Sequence, residues 1–212
     1  MSWRISGLVA LGLMLGVCVA RLSQDPDTGT ATWDFERAAG FAAYLLLWAS
    51  TVLGIGIHFR VRPANWPLSV VLESHRICSS LALSFIAGHV TALLVDPVVH
   101  FSLLDVVVPF TSSYRAIQVG LGTVAMWLLI ATLASTAAAG RMRYSTWRAV
   151  HYLAFPCYLL ALIHGITAGT DATSPFALTL YATTAAMVAA LTFARVLGRG
   201  FVAAGEPPSP IG

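Results

Sequence analysis

Lysine is absent from this chain: all 12 basic residues are arginine. Charged residues of both signs make up only 10% of the sequence, against 58% hydrophobic, and the mean hydropathy is +0.79. That balance excludes an ordinary soluble domain. Three cysteines, Cys18, Cys78 and Cys157, are scattered without C-x-x-C spacing, so a disulfide framework, a zinc ribbon and a thiol redox motif are all unsupported. They read as small apolar packing residues. No G-x-G-x-x-G follows a strand. The nearest imitation, Gly54-Ile55-Gly56, lies inside an apolar run, so no flavin or nicotinamide dinucleotide site is expected in this chain. No basic patch stands apart from the ends of the apolar runs, which excludes nucleic acid as a partner.

What the chain does contain is apolar sequence, at residues 5–20, 37–57, 67–95, 115–139, 147–168 and 175–198. At ~1.5 Å per residue most of these cover the ~30 Å of bilayer hydrocarbon. They are continuously apolar and rich in Ala, Leu and Gly, which suits helices and not the alternation of barrel strands. The expected fold is an all-α, six-transmembrane-helix bundle in contact with lipid, one domain over residues 1–200 followed by a short Pro-rich tail, 201–212. The first run, after Arg4 and ending in Cys18-Val19-Ala20, also has the form of a secretory signal. It is taken here as a short first span. Within it Gly12 and Gly16 form a small-x-x-x-small pattern. The segment DPVVHFSLLDVVVPFTSSYR, interrupted by Pro97, Asp105 and Pro109, reads as an external loop with an interfacial or re-entrant element.

The arginines fix the orientation. Arg4, Arg60, Arg62, Arg76, Arg141, Arg143, Arg148, Arg195 and Arg199 fall on one side of the expected spans, which the positive-inside rule makes cytoplasmic. The other side carries Asp25, Asp27, Asp34, Glu36, Asp96, Asp105 and Asp171 against only Arg21, Arg37 and Arg115. Both termini are therefore expected in the cytoplasm, with the protein in a bacterial inner membrane.

Four of the six histidines sit inside apolar runs as two spaced pairs: His75 and His89 fourteen residues apart, His151 and His164 thirteen apart. Imidazole in hydrocarbon is costly unless it is paired or ligates a metal. The topology puts His75 and His151 at one depth near the cytoplasm and His89 and His164 at another near the outer face. The two depths lie ~20 Å apart along a helix, room for two haems b, one per leaflet, each held between two imidazoles. Iron ligated in this way has no open position and suits single-electron transfer. The helical phase is awkward: fourteen residues bring His89 within ~40° of His75, whereas thirteen leave His164 ~140° from His151. Pro156, between them, is expected to kink the helix and re-aim its outer half. His58 and His100 have no depth-matched partner and are expected not to ligate. For the haem propionates, Arg76 and Arg148 suit the inner site, and Arg37, Tyr114 and Arg115 the outer.

With these residues in place, the chain resembles the ferric reductase-like transmembrane domain family, which includes NADPH oxidases, ferric-chelate reductases and the haem subunit of bacterial methionine sulfoxide reductase. The resemblance is carried by HRICSSLALSFIAGH, with its fourteen-residue step, and WRAVHYLAFPCYLLALIHG, with its thirteen-residue step, and spans roughly residues 35–195. It implies an inner ligand pair at His75 and His151 and an outer pair at His89 and His164. The flavin and nicotinamide domain that oxidases append after the sixth span has no counterpart here. The sulfoxide reductase subunit is similar in length but lacks the histidine that His75 supplies. The function expected is therefore a two-haem transmembrane conduit. A separate cytoplasmic flavoprotein or NAD(P)H-dependent reductase would be its donor, and an iron chelate, oxygen, quinone or periplasmic redox protein its external acceptor. The alternative is a haem-containing anchor subunit of a methionine sulfoxide reductase-like or other redox complex. A solute transporter fits poorly, because the ionisable residues other than histidine cluster at helix ends.

Overall fold

A computed structural model describes the backbone of residues 29–59, 66–96 and 99–205, and the side chains of 32–57, 66–96 and 99–197. Seven α-helices follow one another: α1 (Gly29–Phe59), α2 (Leu68–Val95), the short α3 (Leu103–Val107), α4 (Ala116–Ala137), α5 (Tyr144–His151), α6 (Ala154–Ala168) and α7 (Pro175–Gly205). A 3₁₀ turn, Ala139–Arg141, joins α4 to α5. No strand occurs among the described residues. Among the described residues five stretches are long and apolar enough to cross a membrane: Thr32–Ile57, Leu68–Val95, Ala116–Ala137, Tyr144–Ala168 and Pro175–Leu197. The expected first span at 5–20, its Gly12 and Gly16, Cys18 and the tail after residue 205 lie outside the described residues.

The helices pack as two pairs, α1 against α2 and α4 against α6, joined where α1 also meets α6 and α7. Close approach rests on small side chains. On α2 the buried Ser84, Gly88 and Ala92 follow one another at four-residue steps, and α4 buries Gly120, Thr123 and Ala125. Several hydroxyls within the helices return to carbonyls one turn back, as Thr51 does to Leu47 at 2.8 Å and Thr132 to Leu128 at 2.8 Å, and are satisfied without water. Between the pairs lies an aromatic cluster. Tyr44, Tyr158 and Tyr181 are buried, with the Tyr44 hydroxyl 2.6 Å from Thr184 Oγ1 and 3.2 Å from the Tyr158 hydroxyl. Large apolar side chains point outward, Phe176 at 71% exposed and Phe193 at 64%, as lipid-facing surfaces require. Cys157 is buried and free, its Sγ donating to the Ala125 carbonyl at 3.2 Å.

The fifth expected span is two helices. Pro156 is the third residue of α6, and a proline ring clashes with the carbonyl four residues back, here Tyr152. The α-helix accordingly stops at His151 and restarts at Ala154. Across the gap the backbone tightens to three-residue steps, with Leu153 N–H donating to Val150 O at 3.0 Å and Phe155 N–H to Tyr152 O at 3.1 Å. Arg195 of α7 holds the joint, its Nη2 3.2 Å from the Tyr152 hydroxyl.

The segment between α2 and α4 contains a short helix, α3. α3 opens with a reciprocal cap: the Asp105 amide donates to Ser102 Oγ at 3.3 Å, and the Ser102 amide and hydroxyl donate to Asp105 Oδ2 at 2.8 and 2.7 Å. The indole N–H of Trp127 ties it to α4 through the Val107 carbonyl at 2.9 Å. Phe110, at φ 68, turns its ring onto Gly120.

Candidate functional site

The structure brings the four histidines together in the pairs that their spacing implies. The ring centroids of His75 and His151 lie 6.0 Å apart with planes at 66°, and those of His89 and His164 lie 6.5 Å apart at 82°. A ligating imidazole nitrogen sits ~2 Å from its ion and the ring centroid ~1.1 Å beyond, so two imidazoles on opposite sides of one ion have centroids ~6.2 Å apart. Both pairs match that spacing. Among the described residues no three His, Cys, Asp or Glu side chains converge. Two facing imidazoles of this kind would suit a metal-bearing macrocycle that brings its remaining ligands itself, with His75 and His151 or His89 and His164 holding it.

Three of the four rings are fixed from behind. His75 Nδ1–H donates to the Ser50 carbonyl at 2.8 Å, His89 Nδ1–H to the Glu36 carbonyl at 2.9 Å and His164 Nδ1–H to the Gln118 carbonyl at 2.8 Å. A carbonyl only accepts, so each ring carries its proton on Nδ1 and keeps the Nε2 lone pair for a ligand. That is the usual support of a metal-bound histidine. Ser50 adds its hydroxyl, 3.0 Å from His75 Nδ1. The fourth ring differs: His151 Nδ1 is buried with no hydrogen-bond partner among the described residues, and the ring stacks on Trp147 at 5.1 Å.

The rings reach these carbonyls because glycines face them. A Cβ on Gly40 would stand 3.3 Å from His89 Nδ1, on Gly54 3.3 Å from His75 Cε1, and on Gly122 2.8 Å from the His164 ring. Sequence reasoning passed over these residues, though a signal was present. Gly40 and Gly54 are fourteen residues apart, as are Glu36 and Ser50, repeating the step from His75 to His89. Helix α1 runs antiparallel to α2 and offers the same glycine and carbonyl at both depths. Gly54, dismissed as part of a failed nucleotide motif, is one of these backing residues.

A cavity of about 200 Å³ adjoins the outer pair, lined among others by His89, His164, Gly40, Gly122, Phe41 and Tyr181. Arg37 and Tyr114 also line it. Arg37 is ion-paired to Asp171 and lies 3.5 Å from Asp34, while its Nε is buried without a partner among the described residues. Arg115 extends over the Tyr114 ring and directs Nη1 to the Thr167 and Ala168 carbonyls at 3.1 and 3.2 Å, capping α6. On the inner side Arg76 is exposed, 4.0 Å from Glu73, and Arg148 lies over the Tyr144 ring at 5.8 Å. His100 is exposed in the loop between α2 and α3. The side chain of His58 lies outside the described residues.

No curated protein and no solved structure matches the chain. One family does: the ferric reductase like transmembrane component, over residues 39–162, a stretch that includes His75, His89 and His151 and ends two residues before His164. The match covers more than half of a multi-pass, all-helical membrane chain, and the chain therefore belongs to the ferric reductase like transmembrane component family.

Proposed function

We propose that this chain carries electrons singly across a bacterial inner membrane, between two haems b held one per leaflet by His75 with His151 and by His89 with His164. The carrying observation is the double pairing of imidazoles at 6.0 and 6.5 Å, with three rings held as Nδ1–H tautomers that turn Nε2 inward. Haem bound in this way supplies a one-electron couple. The residues supply the rest. The carbonyls of Ser50, Glu36 and Gln118 hold ring orientation, Gly40, Gly54 and Gly122 let the rings sit close to the backbone, and the apolar core between the pairs excludes water. In the proposed topology a sixth span precedes α1 and both termini are cytoplasmic. The donor is then a separate cytoplasmic flavoprotein or reductase, and the acceptor meets the face that carries Arg37, Tyr114 and Asp171.

Haem content and a reductive optical titration of the purified chain test this reading. Two b-type haems per chain are expected, with single alanine replacements of His89 or His164 perturbing the same one and those of His75 or His151 the other. Protein with no reducible haem would reject it. One haem per chain would favour the anchor-subunit alternative.

A further inference from the structure

Three of the four histidines are locked and one is not. His75, His89 and His164 each donate Nδ1–H to a backbone carbonyl at 2.8–2.9 Å and each faces a glycine. His151 has a buried Nδ1 without an acceptor among the described residues. Its neighbour Trp147, stacked against it, likewise has a buried, unpartnered Nε1. The hydrogen bond behind a ligating imidazole raises its basicity and stops the ring rotating, so its absence weakens the ligand in both respects.

The element that carries His151 is also less deeply buried than the one that carries His164. Helix α5 buries none of its eight residues, whereas α6, which carries His164, buries Cys157, Tyr158 and Leu162. The two-residue break at Tyr152 and Leu153 separates α5 from α6, and Arg195 grips the joint itself at Tyr152. A tilt of α5 about this joint would leave the buried side chains of α6 in place and would disturb only the packing of α5 on α4. Sequence register agrees: thirteen residues beyond Gly122 on α4, the step from His151 to His164, stands the buried Ser135 and not a glycine.

We propose that His151 is a displaceable ligand and that the inner haem, when reduced, binds a small neutral diatomic ligand in its place, while the outer haem does not. This rests on the two-haem reading above. The geometry gives the inner site a second capacity, that of a gas-binding haem, in a protein whose outer site is closed.

Carbon monoxide added to the dithionite-reduced, haem-loaded full chain is the probe, with carbon monoxide bound per haem as the readout. In the unaltered protein about half of the haem is expected to form the adduct. His164→Ala should raise the bound fraction to essentially all of the haem present, whether the outer haem is retained five-coordinate or lost. His151→Ala should leave the fraction at half or below. The reverse pattern, or carbon monoxide bound to none or to all of the unaltered protein's haem, overturns the proposal. A preparation without haem rejects the two-haem reading itself and is recognised before any gas is added. An acceptor that reaches His151 Nδ1 from outside the described residues would appear as the result in which no carbon monoxide binds.

Discussion

At the scale of single residues, the histidines depend on what stands behind them. Gly122 is the sharpest case, because an added Cβ would lie 2.8 Å from both Cε1 and Nδ1 of His164. Overpacking of this kind costs ~1–3 kcal/mol and forces the ring off its carbonyl. On the two-haem reading, Gly122→Ala is expected to lose or misligate the outer haem alone, halving haem per chain, while Gly140→Ala, whose Cβ would meet nothing within 4 Å, leaves it unchanged. Pyridine haemochrome content of the two variants decides. Equal content in both would remove the backing role assigned to Gly122. Gly40→Ala, with its closest contact at 3.3 Å, should fall between them.

At the scale of elements, the phase problem of the fifth span is narrowed by a break. Thirteen α-helical residues fall short of a whole number of turns, and each residue overwound toward three per turn adds ~20° of rotation in the needed direction. The three-residue hydrogen bonds at Leu153 and Phe155 are that overwinding. Pro156→Ala restores the missing N–H and lets α5 and α6 fuse. On the two-haem reading His151 should then rotate off the inner site, with haem per chain falling toward one and the outer haem's titration unaltered. Retention of both haems would show that the break does not set the ligand angle. α3 has its own pH dependence. Hydrogen bonds from the Ser102 hydroxyl and then the Ser102 amide hold the Asp105 carboxyl below its ordinary value. Its depressed folded value means the cap supports α3 above the ordinary carboxylate range and is lost as pH falls through the lowered value. Amide exchange over 103–108 should be slower in the unaltered protein than in Asp105→Asn at neutral pH, and the difference should vanish in acid. A difference that persists in acid would assign the protection to something other than the cap.

Much of this was legible in the sequence, for definite reasons. Helix positions followed from apolar run length, and the pairing of histidines from two nearly equal steps, because depth in a membrane is simply distance along a helix. The Pro156 kink was legible as to cause but not place, since proline acts on the carbonyl four residues before it and the break falls at Tyr152. The backing glycines were hidden because a glycine's role here depends on the antiparallel register of α1 with α2, which no single run reveals. The αL turn at Phe110 that seats its ring on Gly120 was equally invisible.

At the scale of the whole molecule, orientation rests on arginine placement. In a background with the native cysteines replaced, Ser113→Cys in the external segment should react in intact cells with a membrane-impermeant maleimide, and Ser145→Cys on α5 only after lysis. The opposite pattern would invert the proposed donor and acceptor sides. The two pairs of helices also divide the four histidines between them: α1 with α2 presents His75 and His89, while α4 to α6 presents His151 and His164. Neither half holds a complete site. On the two-haem reading each haem is a rivet through both halves, so folding and cofactor supply are thermodynamically linked. A cell short of haem would then make two loosely associated hairpin layers, open to membrane proteases, and the abundance of this protein would itself report how much haem the cell can spare.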